Sequence, residues 1–333
     1  MIIVTGGAGF IGSNIVKELN RQGRSDILIV DDLNNRKEQS QSYRNLRGLQ
    51  FIDYMHKDDF LAAIKNREFD GVDVDVVFHE GACSDTMEYD VNYMMQANYE
   101  YSKAVLHFCM EHRIPFLYAS SASTYGAGEN GFREGDECED ALNPYAYSKL
   151  LFDRYVRQVM SDTQSQIVGL KYFNVYGPQE HHKGNMASIF YQLYHQVKKD
   201  GVCRLFEGWG KFSDGTDVPN GGQKRDFIYV KDVVKVNLWF WQHKGPSGIY
   251  NCGTGKAHTY NEVADSVIKA LGKGKIEYRD FPEVLKGKYQ NYTESDTTKL
   301  LEAGYNQGFY DMYEAVKEYC DFLDAGGYFK YGK

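Results

Sequence analysis

The sequence predicts a doubly wound α/β fold, a parallel sheet flanked by helices, with a smaller carboxyl-terminal α/β portion. Three observations predict it. The chain opens on an apolar, β-branched strand, Ile2 to Thr5, of the kind buried inside a parallel sheet. Glycines at 6, 9 and 12 follow at once, and Ile11, Ile15, Val16 and Leu19 then recur at helical spacing. Strand and helix segments go on alternating as far as Phe173, the pattern of βαβ units joined by right-handed crossovers.

After the opening strand, glycine turn and helix, Ile27 to Val30 make a second apolar strand ending at Asp31 and Asp32, and Leu49 to Ile52 offers a third. Val74 to His79 (VDVVFH) is a clearer strand, running into Glu80-Gly81-Ala82-Cys83-Ser84. A helical stretch from Asn92 to His112, the strand Phe116 to Ala119, a helix from Tyr145 and the strand Ile167 to Phe173 complete the alternating part. Beyond Gly177-Pro178 the pattern loosens. Helices are expected near Met186 to Lys199, Lys231 to Gln242, Asn261 to Leu271 and Asp311 to Leu323, with short strands near Phe227 to Val230, Ile249 to Cys252 and Ile276 to Tyr278. Gly208 to Gln223, rich in Gly, Asp and Asn, is expected to be a surface loop.

The composition excludes several classes. With 15% aromatic and 25% charged residues over 333 positions, the chain is an ordinary globular one rather than disordered. A net charge of -8 argues against a dedicated nucleic-acid binder. The six cysteines show no CxxC and no ligand-like spacing, so reduced thiols are expected, with neither a disulfide framework nor a metal site. His181-His182 lacks an acidic or Cys partner at ligand spacing. No run approaches the ~18 apolar residues of a membrane span, and the start carries no basic segment leading into a long apolar one. A soluble, cytoplasmic protein is expected, with no membrane partner.

Strand, glycine turn and helix together present backbone N–H groups and a positive helix end to a pyrophosphate. Gly6, Gly9 and Gly12 are therefore expected to hold a dinucleotide. Asp31 and Asp32 follow Gly12 at roughly the 20-residue spacing at which a carboxylate accepts the 2′-hydroxyl of the adenosine ribose, which favours NAD. Arg36, Lys37 and Lys57 lie downstream and could instead hold a 2′-phosphate. On a helix, Tyr145 and Lys149 share a face one turn apart. A free tyrosine has a pKa of ~10, and a neighbouring ammonium with an oxidised nicotinamide favours its phenolate. The spacing itself recurs at Tyr99/Lys103, Tyr194/Lys198 and Tyr313/Lys317. Only Tyr145/Lys149 follows a serine-bearing strand end, at Ser121, and precedes the next strand of the sheet.

TGGAGFIG (Thr5 to Gly12), YASSASTYG (Tyr118 to Gly126), Tyr145-xxx-Lys149 and RDFIYVKDV (Arg225 to Val233) resemble the extended short-chain dehydrogenase/reductase family acting on nucleotide sugars, whose sheet is of Rossmann type. FHEGACS (Phe78 to Ser84), YFNVYGP (Tyr172 to Pro178), HKGNMAS (His182 to Ser188), LFEG (Leu205 to Gly208) and FPEVLKGKYQ (Phe281 to Gln290) resemble the branch that epimerises ADP-heptose at C6″ for lipopolysaccharide core synthesis. The resemblance spans nearly the whole chain. It implies Tyr145 and Lys183 as two acid/bases, Ser121 hydrogen-bonding the reacting hydroxyl, and Lys149 holding the cofactor ribose. It implies a cofactor site of Gly6, Gly9, Phe10, Ile11, Gly12, Asp31, Asp32, Lys37, Lys57, Glu80, Gly81, Ala82, Cys83, Ser84, Asn98, Lys149, Val175 and Lys183. Asn174, Asn185, Gln192, Phe206, Glu207, Gly208, Trp209, Arg225 and Tyr289 would line the substrate, together with Ser121. Asn185 stands where the branch has serine and Gln192 where it has histidine.

The resemblance further implies tightly bound NADP, with NAD as the alternative, and a homo-oligomer, a pentamer by analogy. It divides the chain into a dinucleotide-binding unit over residues 1–173, with a returning segment near 224–255, and a substrate-binding portion from 174–223 and 256–330. The rival readings are a UDP-hexose 4-epimerase, a 4,6-dehydratase and a non-catalytic NAD(P)-binding protein. Ala122 and Ser123 occupy the place where the family's dehydratases carry an Asp-Glu pair.

Overall fold

The structure is a computed structural model that describes residues 1–34, 41–286 and 289–331. Along the chain the strands and α-helices run β1 (Ile2–Thr5), α1 (Phe10–Arg21), β2 (Ile27–Asp31), β3 (Asp53–His56), α2 (Lys57–Lys65), β4 (Val76–His79), α3 (Val91–Met94), α4 (Tyr101–His112), β5 (Phe116–Ser121), α5 (Pro144–Val159) and β6 (Ile167–Tyr172). There follow β7 (Asn174–Tyr176), α6 (Ile189–Asp200), β8 (Val202–Phe206), β9 (Lys224–Tyr229), α7 (Val230–Gln242), β10 (Gly248–Cys252), β11 (Ala257–Thr259), α8 (Tyr260–Leu271), β12 (Lys275–Arg279), α9 (Thr298–Glu302) and α10 (Met312–Asp324).

Seven of the strands form one parallel sheet in the order β10-β6-β5-β4-β1-β2-β3. This is the expected Rossmann-type architecture. The alternation of side chains along a strand supplies a core on each face. Ile2 and Val4 pack with Ile15, Val16 and Leu19 of α1 and with Val233 and Val236 of α7. Ile3 faces the other way, onto Phe60 of α2, Val105 and Leu106 of α4, and Phe152 and Val156 of α5. A third core joins the smaller sheets, β11-β9-β7 and β12-β8, to α6, α8 and α10. The strand order reverses between β1 and β4, and a crevice opens there beyond the carboxyl ends of the strands.

Several elements differ from expectation. The third strand is Asp53–His56, paired with Leu28 to Asp31, and not Leu49 to Ile52. Leu49 and Phe51 are apolar because they seal the core from a loop, whereas the true edge strand is polar and half exposed. The helix expected from Asn92 to His112 contains a π-helical turn, Met95–Glu100, that turns Asn98 into the interior. β7, β8, β11, α2 and α9 escaped the periodicity altogether. The Gly208 to Gln223 stretch is more ordered than a plain surface loop. Its tip is exposed, but Lys211 pairs with Asp217, and Val218 and Gly221 to Gln223 are buried.

Candidate active site

The glycine turn is built as only glycine allows at two positions. Gly6 has φ 66°, and a Cβ there would lie 2.6 Å from the Gly81 nitrogen; one on Gly12 would lie 2.2 Å from the Gly6 oxygen. α1 begins at Phe10 with no side-chain cap from Gly9, which leaves its first N–H groups facing the crevice for an anion. Asp31 accepts from Ala8 N at 2.8 Å and from Asp32 N at 2.7 Å, so its carboxylate braces this turn. Burial pushes its pKa up to about 6. His56 Nε2 lies 3.8 Å from Asp32 Oδ1, and Lys57 donates to Asp58 at 2.8 Å. Lys37, with Arg36, lies outside the described residues.

A cavity of about 1270 Å³ spreads over the ends of β1, β2, β4 and β5. Gly6, Gly9, Phe10, Ile11, Gly12, Asp31, Asp32, Lys57, Glu80 to Ser84, Ser121, Tyr145, Lys149, Val175 and Lys183 all line it. Among the described members of the expected cofactor site, Asn98 does not. It is fully buried behind the wall, where it brackets Cys83 by accepting from its N–H and donating to its carbonyl, and also donates to Ser148. Asn98 is thus a buttress of the Cys83 turn, placed there by the π-helical turn.

Ser121 ends β5, while Tyr145 and Lys149 ride on α5, whose start is set by the Asn143 cap and Pro144. The Ser121 hydroxyl hydrogen-bonds the Tyr145 phenol and accepts from Ser123 Oγ at 2.9 Å. Burial raises the Tyr145 pKa, with the Ser121 bond opposing it. Lys149 is buried one helical turn beyond Tyr145. Its ammonium donates to the Ala119 carbonyl at 2.7 Å, and burial lowers its pKa to about 8, against the pull of Glu80 and Asp153. Glu80 accepts from the Tyr172 hydroxyl at 2.9 Å; its other oxygen is buried without a partner, and burial raises its pKa to about 7. Tyr172 in turn accepts from Asn237 at 2.9 Å.

Lys183 enters the same cavity from a different element, the turn His181–Met186, with its ammonium 5.4 Å from the centre of the Phe10 ring. Burial lowers its pKa, and the nearby Glu180 opposes the shift. Glu180 is itself buried and accepts from Ser188 Oγ at 2.7 Å and Tyr319 OH at 2.8 Å, pinning the turn to the start of α6.

Beneath Ser121 lies a charged network in which Lys171 and Asp153 are fully buried. Lys171 donates to Asp153 at 2.7 Å and Thr124 at 2.7 Å, and pairs with Glu139 at 2.9 Å. Asp153 also accepts from Tyr118 OH at 2.8 Å and Ser120 Oγ at 2.6 Å, while Thr124 donates to the Ser121 carbonyl at 2.8 Å. Sequence reasoning missed Tyr172, Glu180 and this network. The one signal present was a lysine inside the apolar strand IVGLKY.

The remaining expected substrate residues do not line the cavity. Four of them gather in an aromatic–cationic cluster of the smaller portion. Trp209 stacks on Phe281 at 5.5 Å, Phe206 and Tyr289 meet the same ring edge-on, and the Arg225 guanidinium sits 4.9 Å from the Tyr289 ring centre. Arg225 also donates to the carbonyls of Lys224 and Gln290. Glu207 and Asn174 are exposed, and Gly208 donates to Asn220 at 2.9 Å. Asn185 is exposed too, and Gln192 donates to its carbonyl and that of Ala187, bracing the Lys183 turn.

The family model of the NAD-dependent epimerase/dehydratase family matches residues 2–253. The chain belongs to that family. Solved structures are similar to it over nearly full length. The ADP-L-glycero-D-manno-heptose-6-epimerase of Helicobacter pylori is 27% identical, with a TM-score of 0.78 over 97% of this chain and 96% of that one. A UDP-N-acetylglucosamine 4-epimerase from Methanobrevibacter ruminantium is 22% identical, with a TM-score of 0.81 over 98% of each chain. The UDP-glucose 4-epimerase of Thermus thermophilus, solved with NAD, is 24% identical, with a TM-score of 0.75 over 97% and 98%. The last two share the fold with this family member. Among the described residues no helix is long and apolar enough to cross a membrane.

Proposed function

We propose that this protein epimerises ADP-D-glycero-D-manno-heptose to ADP-L-glycero-D-manno-heptose at C6″, with NADP held tightly in each subunit and NAD as the alternative, in cytoplasmic lipopolysaccharide core synthesis. The observation that carries the reading is the entry of Tyr145 and Lys183 into one cavity from different elements. Inverting a carbinol moves its oxygen relative to a fixed cofactor, so protons must be handled on two sides. The relative at 27% identity supports the choice of substrate.

The uncapped start of α1, the glycine cradle and the unpartnered oxygen of Glu80 fit a dinucleotide. When bound, such a dinucleotide would supply reversible hydride acceptance at the substrate carbinol. Ser121 and Tyr145 hold the reacting hydroxyl, and Tyr145, as its phenolate, takes the hydroxyl proton and becomes the neutral phenol. Lys149, whose ammonium donates to the Ala119 carbonyl, would hold the nicotinamide ribose, and its positive charge would favour the Tyr145 phenolate. Lys183, its pKa lowered by burial, exchanges a proton from the other side. Arg225, Tyr289 and Trp209 would hold the ADP portion. The dinucleotide-binding unit (1–173 and 224–255), the substrate-binding portion and a homo-oligomer, a pentamer by analogy, belong to the same proposal.

The test is incubation with the two ADP-heptose epimers and a panel of UDP-sugars, without added cofactor, for the protein and for Tyr145→Phe. Interconversion of the ADP-heptoses, lowered about 10²–10⁴-fold by Tyr145→Phe with the bound cofactor retained, is the expected result. Turnover of UDP-hexoses instead, or undiminished turnover by Tyr145→Phe, refutes it.

A further inference from the structure

The turn that carries Lys183 is tied to the glycine turn by a device outside both. Asn45, only 1% exposed, donates from one amide nitrogen to the Ala8 carbonyl at 2.9 Å and to the Gln179 carbonyl at 3.1 Å. Gln179, fully buried, answers by donating to the Asn45 carbonyl at 3.1 Å. The same Asn45 nitrogen lies 3.2 Å from His182 Nδ1, next to Lys183. A second buried amide repeats the connection, with Asn14 donating to Phe10 O at 2.8 Å and Pro178 O at 2.9 Å. Gln179 has φ 77°, a left-handed conformation uncommon for a residue with a side chain. Such a conformation persists only where its surroundings over-determine it, and here Asn45 grips its carbonyl.

We propose that Asn45 is a positioning residue that sets the second proton-exchanging group in register with the cofactor turn. It acts by clamping the left-handed Gln179 to Ala8, so that Lys183 is aimed over Phe10 at the place where the dinucleotide lies. The role of Lys183 rests on the function proposed above; the clamp does not. Any movement of the glycine turn on seating the cofactor is passed to the Lys183 turn through Asn45, with Asn14 as a parallel tie, so that both sides of the cavity keep one geometry.

The experiment treats the enzyme as purified, and Asn45→Ala, with an amine-acetylating reagent across pH, reading Lys183 by peptide mass spectrometry against exposed Lys317. Release of the turn should raise the plateau rate of Lys183 acetylation about fivefold and move its pH midpoint upward, as local opening returns the amine to water. Turnover should fall about 10–100-fold in kcat with KM and bound cofactor unchanged. Unchanged plateau rate and midpoint in folded Asn45→Ala would overturn the proposal. If that variant does not fold, Asn45→Ser, which keeps one small donor, is read by the same two criteria. Full turnover by Lys183→Ala would sink the acid/base assignment while leaving the acetylation ratio to decide the clamp.

Discussion

Replacing Asp153 with alanine should be among the most damaging single changes outside the cavity lining. The carboxylate is fully buried and accepts three bonds, from Lys171 at 2.7 Å, Tyr118 at 2.8 Å and Ser120 at 2.6 Å. Removing one partner of a buried ion pair costs about 3–5 kcal/mol, because the other charge stays buried. Lys171 keeps Glu139 and Thr124, which places the ion-pair loss near ~3 kcal/mol, the low end of that range. Two hydroxyls left without acceptors add about 1 kcal/mol each. The total of about 5 kcal/mol is a third or more of the stability of an ordinary domain. In Asp153→Asn the amide oxygen can still accept from Lys171 and Ser120, which share one carboxylate oxygen, but the charge is lost and the NH2 faces the Tyr118 hydroxyl, so this variant should fall between. Urea unfolding followed by tryptophan fluorescence should show the order wild type, Asp153→Asn, Asp153→Ala, at similar m-values. A loss below about 1 kcal/mol in Asp153→Ala would show that solvent or a rearranged Glu139 replaces the carboxylate.

Two further outcomes follow from the site. Glu80 titrates near 7 in the folded chain and near 4.5 once unfolded, so its contribution to stability is complete below pH 4.5 and is lost as pH rises through 7. Stability should fall by up to about 3 kcal/mol between pH 5 and 8 from this group. Denaturant midpoints of Glu80→Gln should be correspondingly flatter, and an identical pH difference in both proteins would remove Glu80 from the account. Gly12→Ala places a Cβ against the Gly6 carbonyl and should cut the dinucleotide recovered from denatured protein at least about tenfold; stoichiometric recovery would contradict the close-packed turn.

What the sequence made legible is what depends on near neighbours. The opening strand, its glycines and the alternation through Phe173 produce the main sheet because buried parallel strands are apolar throughout. Asp53–His56 hid because an edge strand has little to bury, while Leu49 and Phe51 looked like a strand because a core-sealing loop is apolar too. Ser121, Tyr145 and Lys149 could be placed together through strand-end and helix-face geometry. Lys183 needed a resemblance, since nothing local marks it. Asn45 and Gln179 carried no signal: they are far apart in sequence, and an amide bonding a carbonyl leaves no pattern in composition or period. Asn98, which the resemblance implies for the cofactor site, lies behind the cavity wall because the π-helical turn carries it inward, and such a turn leaves no mark in the helical period.

The strand order has a consequence for how the chain is made. β6, all six residues buried, pairs on one side with β5 and on the other with β10, which is translated only after the smaller-sheet strands β7, β8 and β9 and the helices α6 and α7. A chain lacking β10 would leave the β10-facing edge of β6 with unpaired N–H and C=O groups, the kind of template that recruits other chains. The ribosome-bound intermediate is therefore most in need of shielding between the emergence of Tyr172 and that of Cys252. A fragment ending before Gly248 would keep the glycine turn and all of Ser121, Tyr145, Lys149 and Lys183, yet leave this edge open for good.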